Sequence, residues 1–231
     1  MKVSIREAKS TDSLGIEQVR KAVWPGETSK HEHILSVVTD SNHITQVAIV
    51  EHAVVGFVDG FLTTSITGLR RWEIDLLAVH PDCQRRGIAK QLIRASSIIG
   101  CNSETDMARA LICIGNSASM KAFSGCGYRA EIDVNGLFVL SANVPTHGTN
   151  SLPSNMNLIH ANTINYQGLW IEGELSAEGL DAANRKRNLR SLDIIGAVIP
   201  LSQTRSIRFA NSAGYNFVGR YRYWTLNYRA K

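Results

Sequence analysis

The sequence predicts an α/β protein with a mixed sheet. Three observations carry this. Apolar runs of strand length alternate with amphipathic helical stretches, turn residues separate them at short intervals, and a strand–glycine turn–helix junction stands out at residues 79–89. A chain of 231 residues with 44% hydrophobic content has room for one large or two small globular units.

Residues 3–8 read as a first strand. The helix expected over 13–23 places Ile16, Val19 and Val23 on one face. Residues 29–38 form a second helix, and 45–51 and 54–62 are adjacent strands with a short turn near His52 and Ala53. Residues 72–79 are a buried strand, and the helix beyond it aligns Ile88, Leu92, Ala95 and Ile99. A strand at 110–114 and a helix at 117–126 follow. Two more strands, 128–134 and 137–140, are expected to form a hairpin about Asn135-Gly136, completing the order βααβββαβαββ. Pro145, Gly148, Pro153 and their polar neighbours read as a linker over 144–156. Beyond it come a strand at 168–171, a helix at 177–189, a strand at 194–199, a helix at 202–213 and a strand at 216–226.

Composition narrows the class. The N-terminal segment lacks an apolar leader core, and no run approaches the roughly 18 apolar residues of a membrane span. Cys83, Cys101, Cys113 and Cys126 show no metal-like spacing, so a reduced, cytoplasmic protein is expected, with no metal and no membrane. His31 and His33 are too close in sequence to share a helix face as ligands and read as a solvated surface. The net charge of +5 falls entirely after residue 156, where 10 basic residues face 5 acids. A solvated basic face is the simpler explanation; nucleic-acid binding is the competing one.

The junction carries the chemistry. A strand, a tight turn and a helix N-terminus expose backbone N–H groups and roughly half a positive charge, an anion site that Arg85 and Arg86 reinforce. The alternative is an ordinary turn with a solvated Arg pair. The pattern Gln84-x-x-Gly87-x-Ala89 is neither a Walker sequence nor a dinucleotide fingerprint. It resembles the coenzyme A signature of the GCN5-related N-acetyltransferases (GNAT superfamily). Asn116, with an aromatic residue seven positions later and Gly127-Tyr128 beyond, resembles that family's next motif.

The resemblance implies a complete acyl-CoA N-acyltransferase fold over residues 1–143 and acetyl-CoA as cofactor. It implies that the turn Gln84, Arg85, Arg86, Gly87, Ile88 and Ala89 holds the pyrophosphate, and that the backbone of Leu77, Ala78 and Val79 holds the pantetheine arm. Asn116 would contact the cofactor, although Asn is also an excellent helix N-cap. Glu73, six residues before Val79, matches the general base of histone-type members; its alternative is an ion pair with Arg70 or Arg71. The family's usual general-acid Tyr is Phe123 here, so a non-catalytic acyl-CoA-binding or regulatory protein stays open. Residues 157–231 read as a partial second copy: residues 209–215 parallel 123–128, but Glu174, Glu178 and Asp181 stand where a phosphate turn belongs. The acceptor is expected to be a small-molecule or peptide amine. Trp24, Trp170 and Trp224 either line its site or belong to the core. C-terminal strand pairing, a common route to dimers in the family, admits a homodimer.

Overall fold

The last strand of the chain lies in the middle of its sheet, and this placement organises the molecule. The computed structural model describes residues 2–27, 31–146 and 151–228. The first half supplies β1 (Ser4–Glu7), α1 (Ser13–Val23), α2 (His31–Val38), β2 (Gln46–Val50), β3 (Ala53–Thr64), β4 (Arg70–Val79), α3 (Ile88–Asn102), β5 (Met107–Cys113), α4 (Ser117–Ser124), β6 (Arg129–Ala130) and β7 (Asn135–Leu140). The second supplies β8 (Met156–Asn162), β9 (Gln167–Gly173), α5 (Ala177–Leu189), β10 (Ile194–Pro200), α6 (Thr204–Ser212) and β11 (Asn216–Asn227). The strands form one mixed sheet in the order β1-β2-β3-β4-β5-β11-β7-β10-β9-β8, with β6 alongside β11.

Local chemistry explains most boundaries. Glu51 and His52 both take positive φ, the twist that a two-residue turn between β2 and β3 demands. The helix α1 buries Ile16 and Val19 as its spacing predicts. Trp72 on β4 is 1% exposed and donates its Nε1–H to Ser96 Oγ on α3 at 2.9 Å. Gly60 and Gly100 make room for that indole: a Cβ on either would come within 2.6 or 2.5 Å of it. One core, including Trp72, Ile74 and Leu92, fills the space between the sheet and α3. A second joins α1 and α2 to Phe57 and Ala78 on the other face, and Ile164 from the β8–β9 turn is fully buried in it. A third, around Leu140, Leu169, Leu180 and Ile195, belongs to the second half but takes Phe138 and Leu140 from β7.

Four expectations need correction. Asn135-Gly136 is not a hairpin turn: it opens β7, where Asn135 pairs with Pro200 and Tyr221. The strands on either side of it do not pair with each other; β6 pairs with β11, and β7 lies between β11 and β10. A long apolar strand with neighbours on both sides outweighs the local turn preference. The expected linker ends at Asn155, because Met156 starts β8, a strand the sequence reading left unassigned. The His31 and His33 pair is not merely solvated. His31 Nδ1 lies 3.5 Å from Glu17, and His33 Nε2 lies 2.7 Å from the carbonyl of Thr163 in the second half. Finally, β11 has neighbours on both sides, so C-terminal strand pairing between copies would require opening the sheet. Residues 29 and 30 of the expected second helix lie outside the described residues. No described helix is long and apolar enough to cross a membrane.

Because β11 covers the whole length of β5, from Cys113 to Met107, residues 1–143 alone leave β5 with an unpaired edge. That fragment is expected to unfold without cooperativity in urea or to self-associate. Added residues 144–231 should restore a cooperative transition. A monomeric, cooperatively folding fragment would contradict the role given to β11.

Candidate active site

The site begins where two parallel strands part. β4 and β5 pair at Arg71–Met107, Trp72–Ala108 and Glu73–Arg109 and no further. Beyond that point β4 remains bonded to β3 through Val79, while its other edge opens. A bulge falls at the opening: Asp59 faces Leu76 and Gly60 faces Ile74, leaving Asp75 unpaired.

Two cavities fill the gap. One, of about 290 Å³, runs between β4 and β5 and is bordered by Leu77, Asn116 and Phe123. The other, of about 600 Å³, lies between the two halves of the chain. Six residues border both: Ile74, Asp75, Leu76, Leu111, Asn165 and Tyr221. The polar junction of the two spaces is therefore Asp75 from β4, Tyr221 from β11 and Asn165 from the β8–β9 turn.

Glu73 sits beside this junction but is fully engaged. Arg109 Nε lies 2.9 and 2.8 Å from its two oxygens, and Thr63 donates to Oε1 at 2.6 Å. Arg71 stands 3.4 Å away and bridges to Glu172 of the second half, which Arg109 also approaches at 3.7 Å. Arg109 stacks over the Tyr223 ring at 4.4 Å. The ion pair considered for Glu73 thus exists, chiefly with Arg109. Arg71 is the farther partner, and Arg70 bonds elsewhere, to Ser103. The carboxylate of Glu73 is held by cations and a hydroxyl, so both of its oxygens already have partners.

Asp75 differs. Its side chain is open to the cleft, and the strands around it still strip water from the carboxyl. Burial, with Asp59 and Glu73 adding repulsion against the opposing pull of His43 and a Thr163 hydrogen bond, pushes it from 3.8 up to about 7. Behind it, Asp59 is fully buried and is satisfied by His43 at 3.0 Å and Thr45 at 2.9 Å. Burial lowers His43, but the bond and charge of Asp59 outweigh it and hold the imidazole above its ordinary value. Tyr221, bordered by both cavities, has its phenol raised by burial and so keeps its proton at neutral pH.

The anion turn is built as its residues suggest. Arg85 and Gly87 both adopt left-handed φ, +59° and +79°, aiming successive N–H groups outward. Gln84 Nε2 donates to the carbonyl of Val79 at 3.0 Å and pins the turn to the strand end. Gly87 is the N-cap of α3 and offers no side-chain bond, so the first-turn donors of that helix stay open to a ligand. Gln84 through Gly87 are exposed, Ile88 is buried, and Ala89 lies between. In the second half the equivalent helix end is closed: Ser176 Oγ accepts from Gly179 N at 3.1 Å. Asn116 caps α4 by accepting from Ser119 N at 3.0 Å and also borders the smaller cavity. Phe123, 3% exposed, packs edge-on against Tyr128 at 5.0 Å. Trp24 borders the smaller cavity, Trp170 the larger, and Trp224 packs on the core beside α3.

An open sheet edge thus runs between the bare N-terminus of α3 and the polar junction. The acetyltransferase (GNAT) domain model matches residues 41–129. The chain is built on the GNAT fold in tandem. The tandem GNAT protein from the clavulanic acid biosynthesis pathway is 11% identical, is matched over 100% of both chains and gives a TM-score of 0.60. A GCN5-related N-acetyltransferase from Sphaerobacter thermophilus is 10% identical over 99% of this chain and 96% of its own, with a TM-score of 0.64. No curated protein sequence matches the chain with significance. In this tandem GNAT fold the second copy contributes Asn165, Glu172 and Tyr221 to the first copy's cleft. Sequence reading missed these residues, and also Arg109 and Asp59. The last two carried a signal: each is a lone charge inside an otherwise apolar strand.

A raised carboxyl binds its proton more tightly folded than unfolded, so its contribution to stability is present at low pH and lost as pH rises. For Asp75 the window is about pH 4 to 7. Asp75→Asn should flatten the fall in urea midpoint across that window and be relatively more stable than the parent at pH 8. Parallel midpoint curves for the two proteins would contradict the assignment.

Proposed function

We propose that this protein transfers an acetyl group from acetyl-CoA to an amine held in the larger cavity. The observation that carries the reading is the meeting of two cavities at Asp75 and Tyr221, one bordered by the open β4 edge as far as Leu77 and the other by both halves. The residues fit the cofactor. The bare α3 terminus with Arg85, Arg86, Gly87 and Ala89 suits a pyrophosphate, and the open edge of β4 at Leu77, Ala78 and Val79 suits an amide-bearing arm. When bound, acetyl-CoA supplies a thioester; transfer forms a carbon–nitrogen bond, breaks the carbon–sulfur bond and releases the thiol.

The chain's part is proton handling and placement. Asp75, about half ionised at neutral pH, accepts a proton from the amine at its carboxylate oxygen. Glu73, expected from the resemblance to be the base, instead holds Arg109 and Arg71 in place beside the junction. Tyr221 is the protonated hydroxyl nearest the role that Phe123 cannot fill. The four free cysteines suit a reducing compartment.

A second reading, cofactor binding without turnover, is favoured by the buried phenyl ring of Phe123. Thiol release in the presence of acetyl-CoA and a panel of amines separates the two. Asp75→Asn should lower kcat about 10²-fold or more, the usual worth of a general base. It should also remove a rising limb of kcat/KM centred near pH 7. Full turnover in Asp75→Asn would remove Asp75 from the mechanism. Tight coenzyme A binding with no thiol release from any amine would favour the second reading.

A further inference from the structure

The larger cavity sorts charge in a way that the transfer reaction alone does not require. The whole protein carries +5, yet Arg109 is the single basic residue among the described residues that border this cavity, against five acids. Two of the acids, Glu73 and Glu172, are neutralised by Arg71 and Arg109. Asp75, Glu131 and Asp133 are left over. Among the described residues Glu131 and Asp133 make no ion pair and no side-chain hydrogen bond, and both are solvent-exposed within the cavity wall. Burial raises the carboxyl of Glu131; Arg109 opposes this at a distance and Asp133 adds to it. The alternation of β11 strengthens the asymmetry: Tyr221 and Tyr223 face the cavity, which leaves Arg220 and Arg222 on the opposite face. The rest of the wall is largely aromatic and aliphatic, with Phe61, Tyr166, Trp170 and Leu111 among its members.

Register gives the relative placement. Glu131 N bonds to Tyr223 O, Tyr223 faces Leu111, and Leu111 stands two residues past Arg109 as Asp75 stands two past Glu73. Glu131 therefore lies across the opened gap from Asp75, with β5 and β11 between their strands.

We infer that the acceptor is an amine joined through an apolar spacer to a second positive charge, with the reacting nitrogen at Asp75 and the second cation against Glu131 and Asp133. This rests on the acetyl-transfer reading for the role of Asp75, whereas the binding preference itself does not. The probes are 1,8-diaminooctane and octylamine, alike in apolar length and different in one charge. Calorimetry on the full chain, with and without saturating coenzyme A, is expected to show the diamine binding at least tenfold more tightly. The Glu131→Gln/Asp133→Asn variant should bring the ratio close to one while circular dichroism and coenzyme A binding match the parent. Equal affinity for the two amines, or a preference that survives in the variant, would overturn the inference. Failure of coenzyme A to bind would instead overturn the acetyl-transfer reading and leave the diamine comparison to judge this one.

Discussion

The structure depends on the point at which β4 and β5 stop pairing. Three residues on each strand are joined, ending at Glu73 and Arg109, and beyond them both strands have a free edge facing the other. An open pair of strands inside a sheet carries unsatisfied backbone groups, so it persists only if something holds the strands apart and something else occupies the gap. The ion pair at the last joined position fixes where the pairing stops. Arg109 grips both oxygens of Glu73, leans on Tyr223 and reaches Glu172, so the closing residue of the parallel segment is fixed by three partners. The bulge at Asp75 adds to the effect by turning the free edge of β4 away from its neighbour.

The second half completes this arrangement. Its own helix terminus is closed by Ser176, and it gives its residues to its partner instead. Ile164 is buried against α1 and α2, Asn165 accepts from Arg20 at 2.6 Å, and Thr163 receives His33, so the β8–β9 turn is clamped over the cleft from several sides. Glu172 ties β9 to Arg71 across the cavity. The junction between the two cavities is thus shared property: one carboxylate from the first half, one phenol and one amide from the second.

Much of this was legible in the sequence because it is local. The helix of Ile16 and Val19 matches its predicted bounds, as does α5, because period and capping are written within a dozen residues. The Gly87 turn was legible for the same reason: strand, glycine and helix are consecutive. What was not legible is long-range. Asn135-Gly136 has ideal hairpin chemistry, but strands from the second half pair with β7 on both sides, and no local pattern announces that. Tyr221 could not be placed in the site while its strand was read as belonging to the second half. Asp75 was visible two residues from Glu73, but its separate character comes from the bulge, Asp59 and desolvation in the cleft, none of which is a property of the segment itself. Glu73 matched a motif position, yet its partner Arg109 lies thirty-six residues away.

The position of β11 also bears on how the molecule comes to exist. A ribosome makes this chain from its N-terminus, so β5 emerges more than a hundred residues before the strand that will cover it. Throughout synthesis of the second half, the first must wait as an incomplete sheet whose inner edge is bare. Its cleft cannot assemble until β11 has cleared the exit tunnel and threaded between β5 and β7. An interruption of translation before β11 therefore leaves the first half unfinished as well as the second.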